Sequence, residues 1–252
     1  MDLKQKLESF FQYLKENYGE TIFSEFFYSS TLPSNKVLED QTKNKYQTKL
    51  VHSLDIFSID NDWYYSQSLN ELESKINTCT KCELGKTRIK FVFGSGNPNA
   101  EIMLIGEAPG ADEDVQGLPF VGRAGQLLTK LLKVAGIERK DVYIANILKC
   151  RPPNNRKPLA SEIEMCKPYL VKQIELIKPK VIVALGATAV EGLLNIKKKM
   201  SELRGNILTF NQIPVIVTYH PAALLRNPKL EKDLVDDLNI IRTKFSNLLK
   251  RK

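Results

Sequence analysis

Four short apolar runs stand out along the chain: Ile102–Ile105, Val142–Ile147, Val181–Leu185 and Val215–Tyr219. Each is nearly continuous rather than alternating, the pattern of strands covered on both faces. Helical spacing separates or follows them at Ala124–Ala135, Ser161–Ile177, Thr188–Leu194 and Leu230–Leu249. Ahead of them, SLNELESKINTC predicts a short helix capped by Ser68, with Glu71 at capping-box spacing. Strand–helix alternation predicts an α/β fold with a parallel sheet covered on both sides. Chemistry in such folds sits beyond the carboxyl ends of the strands. The informative segments are therefore GEAPGADED (106–114), NILKCRPPNNRKP (146–158), GATA (186–189) and HPAALLRNP (220–228).

The beginning of the chain reads differently. Leu3, Leu7, Phe10, Phe11 and Leu14 recur at helical spacing, which predicts a helix within residues 1–28. Residues 29–66 read as a linker ending in the acidic, aromatic LDIFSIDNDWYY. The expected organisation is an N-terminal extension and linker, 1–66, ahead of a main domain, 67–252. The first 75 residues hold 13 of the 21 aromatic side chains. A solvated tail is not so aromatic, so the extension is expected to dock on the main domain or on a protein partner. No apolar run is long enough to span a membrane, and the first residues lack the pattern of a secretory signal. A cytoplasmic, monomeric protein is the expectation.

Charge sharpens this division. The formal charge is +8, but residues 1–75 carry 8 Lys/Arg against 12 Asp/Glu, leaving 29 against 17 for the rest. The main domain thus has the electrostatics of a polyanion binder. RPPNNRKP concentrates Arg151, Arg156 and Lys157 among prolines, which suits a stiff phosphate-contacting loop.

Cys79, Cys82, Cys150 and Cys166 are the only cysteines. In a reducing compartment structural disulfides are disfavoured, and four thiolates spread in this way can hold a tetrahedral zinc or a 4Fe–4S cluster. Spacing does not choose between them, and four unrelated buried thiols are the other reading. In GEAPGADED, glycines after a strand let backbone approach a ligand, and Glu107 and Glu113 are general-base candidates. Phe120, among glycines, can stack on a base. Asn146 ends a strand, where its amide can read a base edge by accepting and donating at once. His220 closes the fourth strand. Beyond it Leu224, Leu225 and Arg226 are candidate DNA contacts, an exposed leucine being able to wedge into a base stack. The run Lys197–Lys199 reads as a solvated face, and GSGNP fails as a dinucleotide fingerprint because it leads into a strand.

Together these pieces resemble the family 4 uracil-DNA glycosylases. TCTKCELGKTR, VFGSGNPNAEIMLIGEAPGADED, GLPFVGRAGQLL, NILKCRPPNNRKP, LGATA and HPAALLR stand in the family's order across residues 77–226. The resemblance implies a three-layer α/β/α domain around a four-stranded parallel sheet, and a 4Fe–4S cluster on the four cysteines in place of zinc. It implies excision of uracil from DNA by hydrolysis of the N-glycosidic bond, the opening step of base excision repair. It places Glu107, Glu113 and His220 in the chemistry, with Ala108, Phe120, Asn146 and Asn155 around the base. Ala108 occupies the loop position where better-known relatives outside the family carry a water-activating aspartate. The extra histidine-containing loop of covalently trapping relatives is missing, which argues against a stable DNA–protein bond. Two alternatives are a non-catalytic DNA-binding or polymerase-associated module, and a glycosylase for another base such as hypoxanthine or thymine. The resemblance is silent about residues 1–76.

Overall fold

The computed structural model describes residues 59–244. The helix expected within residues 1–28, most of the linker and the end of the helix expected to reach Leu249 lie outside the described residues. The chain divides into two units, residues 1–61 and 62–252. Trp63 belongs to the second unit, where it packs with Leu72, Ile76, Phe93 and Tyr169.

In chain order the elements are α1 (Leu69–Ile76), α2 (Leu84–Thr87), β1 (Ser95–Gly96), β2 (Ile102–Gly106), α3 (Ala111–Gln116), α4 (Arg123–Val134) and β3 (Tyr143–Asn146). They continue with α5 (Ala160–Ile177), β4 (Val181–Leu185), α6 (Ala187–Leu194), α7 (Met200–Leu203), β5 (Ile207–Phe210), β6 (Ile213–Thr218), α8 (Pro221–Arg226) and α9 (Glu231–Lys244). Ser68 caps α1, its Oγ accepting from the Glu71 amide. Glu71 in turn accepts from Gln67, one residue before the position a strict capping box uses.

The sheet has six strands in the order β1-β3-β2-β4-β6-β5. The four central strands are parallel, as the apolar runs predict. Short β1 and β5 add antiparallel edges, so the sheet is mixed. Both edges escape the apolar pattern for a physical reason: β1 is two residues long, and β5 exposes Ile207. Alternation along the strands builds the three layers. Ile102 and Leu104 of β2, Ile144 of β3, Val181 and Val183 of β4 and Ile216 of β6 share one core with α4 and α9. Their neighbours face the other way, where the Tyr143 hydroxyl meets Gln173 of α5 and Ile147 lies against Gly192 of α6. Every residue of β2 and β4 is buried. Burial of such side chains contributes about 1.5–3 kcal/mol each, which makes the sheet a rigid platform for the loops at its carboxyl edge.

Candidate active site

The carboxyl ends of β2, β3 and β6 open onto a cleft of about 560 Å³, whose lining includes Glu107, Phe120, Asn146 and His220. The loop after β2 turns straight into α3, with Gly110 as N-cap. The carboxylate of Glu113, in the first turn of that helix, accepts from the backbone N–H groups of Gly110 at 3.1 Å, and of Val121 and Gly122 at 2.9 Å each. It therefore closes the loop on itself and holds the segment that carries Phe120. Asp114, 3% exposed, accepts from the amides of Ile89 and Lys90 and pins the segment following the Cys79–Cys82 pair to the same loop. The acidic cluster is thus divided: Glu107, Asp112 and Glu113 line the cleft, Glu113 with its carboxylate spent on backbone, whereas Asp114 only fastens backbone.

Phe120 is buried with φ of 52°, a left-handed backbone uncommon for a bulky residue. A Cβ at Gly125 would overlap the Phe120 carbonyl, so glycine is what lets the strained turn sit on α4. Close approach also governs Gly106, whose absent Cβ would run into the Asn146 Oδ1 and the Phe120 ring, the latter at 2.6 Å. Asn146 and Phe120 are thereby packed side by side over bare backbone. Asn146 is 2% exposed, and its Oδ1 is buried without a hydrogen-bond partner among the described residues. Such an orphan acceptor costs about 1–3 kcal/mol.

His220 is the N-cap of α8, its Nδ1 accepting from the Ala222 amide at 3.2 Å. Burial, helped by Arg226, pushes its pKa down to about 4, against the opposing pull of Glu113. The ring is therefore neutral at neutral pH. With Nδ1 an acceptor, the proton stands on Nε2 and can be donated. The imidazole and Phe120 ring centroids lie 5.5 Å apart at 37°.

The remaining sequence candidates are sorted by burial and pairing. Leu224 is 2% exposed and belongs to the core, while Leu225 is 46% exposed and lines the cleft beside Arg226. The one-residue difference arises because Pro221–Arg226 is a helix, which turns only one leucine inward. This corrects the reading of Leu224 as an exposed contact. Arg151 donates to the Asn155 Oδ1 at 2.7 Å. Arg156 grips Glu162 through two hydrogen bonds, at 2.6 and 2.9 Å, and still borders the cleft. Ala108 and Asn155 line it as well.

The cysteines stand behind this edge. Donors reach three of the sulfurs at 3.3 Å: the Tyr169 hydroxyl to Cys79, the Arg88 guanidinium to Cys150 and the Lys149 amide to Cys166. One Arg88 nitrogen donates to both the Cys79 carbonyl and the Cys150 sulfur, and Cys79 and Cys166 pack against the same apolar cluster. Burial pushes the Cys166 thiol up to about 12. Lys149 is wholly buried, and no carboxylate among the described residues pairs with it. Burial pulls the Lys149 ammonium down to about 8, against the opposing pull of the neighbouring Cys166 and Cys150 sulfurs. N–H and O–H donors plus a buried cation suit a set of thiolates better than a set of thiols. Among the described residues, no three His, Cys, Asp or Glu side chains form a group that could hold a metal ion.

Sequence reasoning missed the loop-fastening role of Glu113, the anchoring by Asp114 and the burial of Lys149. The first had a signal, since Gly110-x-x-Glu113 is the spacing of an N-cap and its third helical residue. No described helix is long and apolar enough to cross a membrane.

The uracil DNA glycosylase superfamily matches residues 93–240. The chain is 45% identical over 183 residues to the type-4 uracil-DNA glycosylase of Archaeoglobus fulgidus, covering 69% of this chain and 92% of that protein. It is 46% identical to the type-4 enzyme of Thermotoga maritima, covering 69% and 94%. With the type-4 enzyme of Saccharolobus solfataricus the identity is 45%, covering 71% and 88%. This chain belongs to the uracil DNA glycosylase superfamily and, within it, to the type-4 uracil-DNA glycosylases.

Proposed function

We propose that this protein removes uracil from DNA by hydrolysing the N-glycosidic bond of deoxyuridine, and so opens base excision repair. The observation that carries the reading is the unpartnered Oδ1 of Asn146, buried at the cleft beside the Phe120 ring. The ring N3–H of a flipped uracil satisfies that acceptor, while the Asn146 NH2 donates to the adjacent carbonyl. Cytosine presents an acceptor and a donor in the opposite order and leaves both groups unpaired, which is the basis of strong rejection.

The nucleotide leaves the stack at a cost of about a few kcal/mol, and its base lies along Phe120. As the N1–C1′ bond breaks, the electron pair departs with uracil. The Nε2–H of neutral His220 and the Asn146 amide stabilise the anion. Water adds to C1′, and Glu107 is assigned its proton, since Glu113 is already engaged by three backbone amides. Arg151, Arg156 and Arg226 flank the path of the phosphates, and Leu225 fills the gap that the flipped base leaves.

Cys79, Cys82, Cys150 and Cys166 would hold a 4Fe–4S cluster. The donors around their sulfurs and the buried Lys149 support an anionic thiolate site. Four thiolates that do not converge on one point would suit a cluster better than a single zinc. The cluster would supply structure, fastening the Cys79–Cys82 segment to the end of β3.

A panel of oligonucleotides carrying one uracil, thymine, hypoxanthine or cytosine, assayed under single turnover, tests this function. Excision of uracil with cytosine and thymine untouched is expected. Preference for another base, or binding without excision, would overturn it.

A further inference from the structure

Among the described residues, Lys149 is the largest fully buried side chain, with no exposed surface. Removing an ammonium from water is costly unless its donors are met. Here Nζ donates to the Gln173 Oε1 at 2.6 Å and to the backbone carbonyl of Asn146 at 3.0 Å. Gln173 is itself fixed, its NH2 donating to the Phe93 carbonyl and the Tyr143 hydroxyl.

The second of these bonds is placed where it matters. The Asn146 carbonyl and the Ile147 N–H are two ends of one planar peptide group. Ile147 N–H donates to the Gly106 carbonyl at 3.0 Å, while Lys149 holds the opposite end. The peptide that sets the direction of the Asn146 side chain is therefore held on both sides. No group among the described residues holds the Asn146 Oδ1, so its aim depends on this backbone and on packing against Gly106 and Phe120. On its other flank, the Lys149 amide donates to the Cys166 sulfur, and Cys150 is the next residue.

We propose that Lys149 is a positioning residue for base recognition, joining the cysteine site to the Asn146 amide through the two ends of one residue. The inference rests on the proposed reading of Asn146 and the cysteines. Disturbing Lys149 changes where the Asn146 amide points without touching the surface that binds DNA.

The test compares the wild type, Lys149→Met and Asn146→Asp as iron-loaded full chains. Four quantities are measured: iron per chain, single-turnover excision at saturating enzyme, affinity for uracil-free DNA, and inhibition by free uracil. For Lys149→Met the expected result is excision slowed by about 10- to 100-fold, as for other residues that orient a site's ligands. Inhibition by free uracil should weaken, with DNA affinity unchanged. A fully loaded Lys149→Met with wild-type excision and wild-type inhibition by uracil overturns the proposal, even if its melting temperature falls. Should Lys149→Met not retain iron, Gln173→Met decides. It removes the acceptor that steadies Nζ, and the same slowing is expected at full iron; unchanged excision overturns the inference. Wild-type protein that fails to excise uracil, or Asn146→Asp that excises normally, would instead sink the underlying reading.

Discussion

Replacing Glu113 by glutamine separates a loop clasp from a catalytic base. The carboxylate accepts three backbone N–H groups, from Gly110 on one oxygen and from Val121 and Gly122 on the other. Glutamine keeps the length but has one oxygen. Its oxygen can retain Val121 and Gly122, which leaves its NH2 facing the Gly110 N–H, donor against donor. A hydrogen bond to a charged group contributes about 1.5–3 kcal/mol. Losing one and weakening the other two should destabilise the closed loop by about 2–3 kcal/mol. If the loop must be closed in the transition state, excision slows by roughly 30- to 150-fold. Single-turnover excision gives the rate, and amide hydrogen exchange at Gly110, Val121 and Gly122 gives the loop. Exchange at those amides should accelerate with the loss of rate. Native exchange combined with a far larger loss of rate would refute the clasp and return Glu113 to the chemistry.

Cys150→Ser should purify with well under the roughly four irons per chain that a cubane requires, and should melt at a lower temperature. Stoichiometric zinc in anaerobically purified wild-type protein would contradict the cluster. A chain beginning at residue 59, which keeps Trp63 and its packing, should retain iron and excise uracil from a short oligonucleotide at near the full-length rate; a loaded but inactive truncation would contradict an accessory role for the N-terminal segment. His220 is held down to about 4 by burial, so its neutral ring persists as pH falls through 6.5, the ordinary imidazole value. The single-turnover rate should therefore show no histidine ionisation between about pH 5 and 8; a break near 6.5 that vanishes in His220→Asn would contradict the neutral donor.

The central sheet and the two strand-end residues of the cleft were legible because burial on both faces writes continuous apolar runs, and topology puts chemistry where those runs end. Asn146 and His220 follow from that rule. Edge strands β1 and β5 were not legible, since a strand covered on one side or two residues long leaves no such run. Helices α3 and α8 leave no helical pattern in the sequence because each has only six residues, one capped by Gly110 and the other opening at Pro221. The distinction between Leu224 and Leu225 is hidden with them, since only helical phase decides it. Lys149 was invisible for a different reason. Lysine normally lies at the surface, and Gln173, which makes its burial tolerable, is 24 residues away. The cysteines could be counted in the sequence, but their gathering depends on β3, α5 and the segment fastened by Asp114.

The central claim is that Asn146 reads uracil. Its most direct test is the single-turnover rate of uracil excision by wild type and Asn146→Asp at saturating enzyme, with matched iron content. Aspartate cannot donate to the uracil carbonyl and repels the leaving anion. Loss of one such donor typically slows catalysis by about 100- to 1,000-fold, and a drop of that size, with affinity for uracil-free DNA unchanged, is the expected result. An Asn146→Asp enzyme that excises uracil at the wild-type rate would contradict the account.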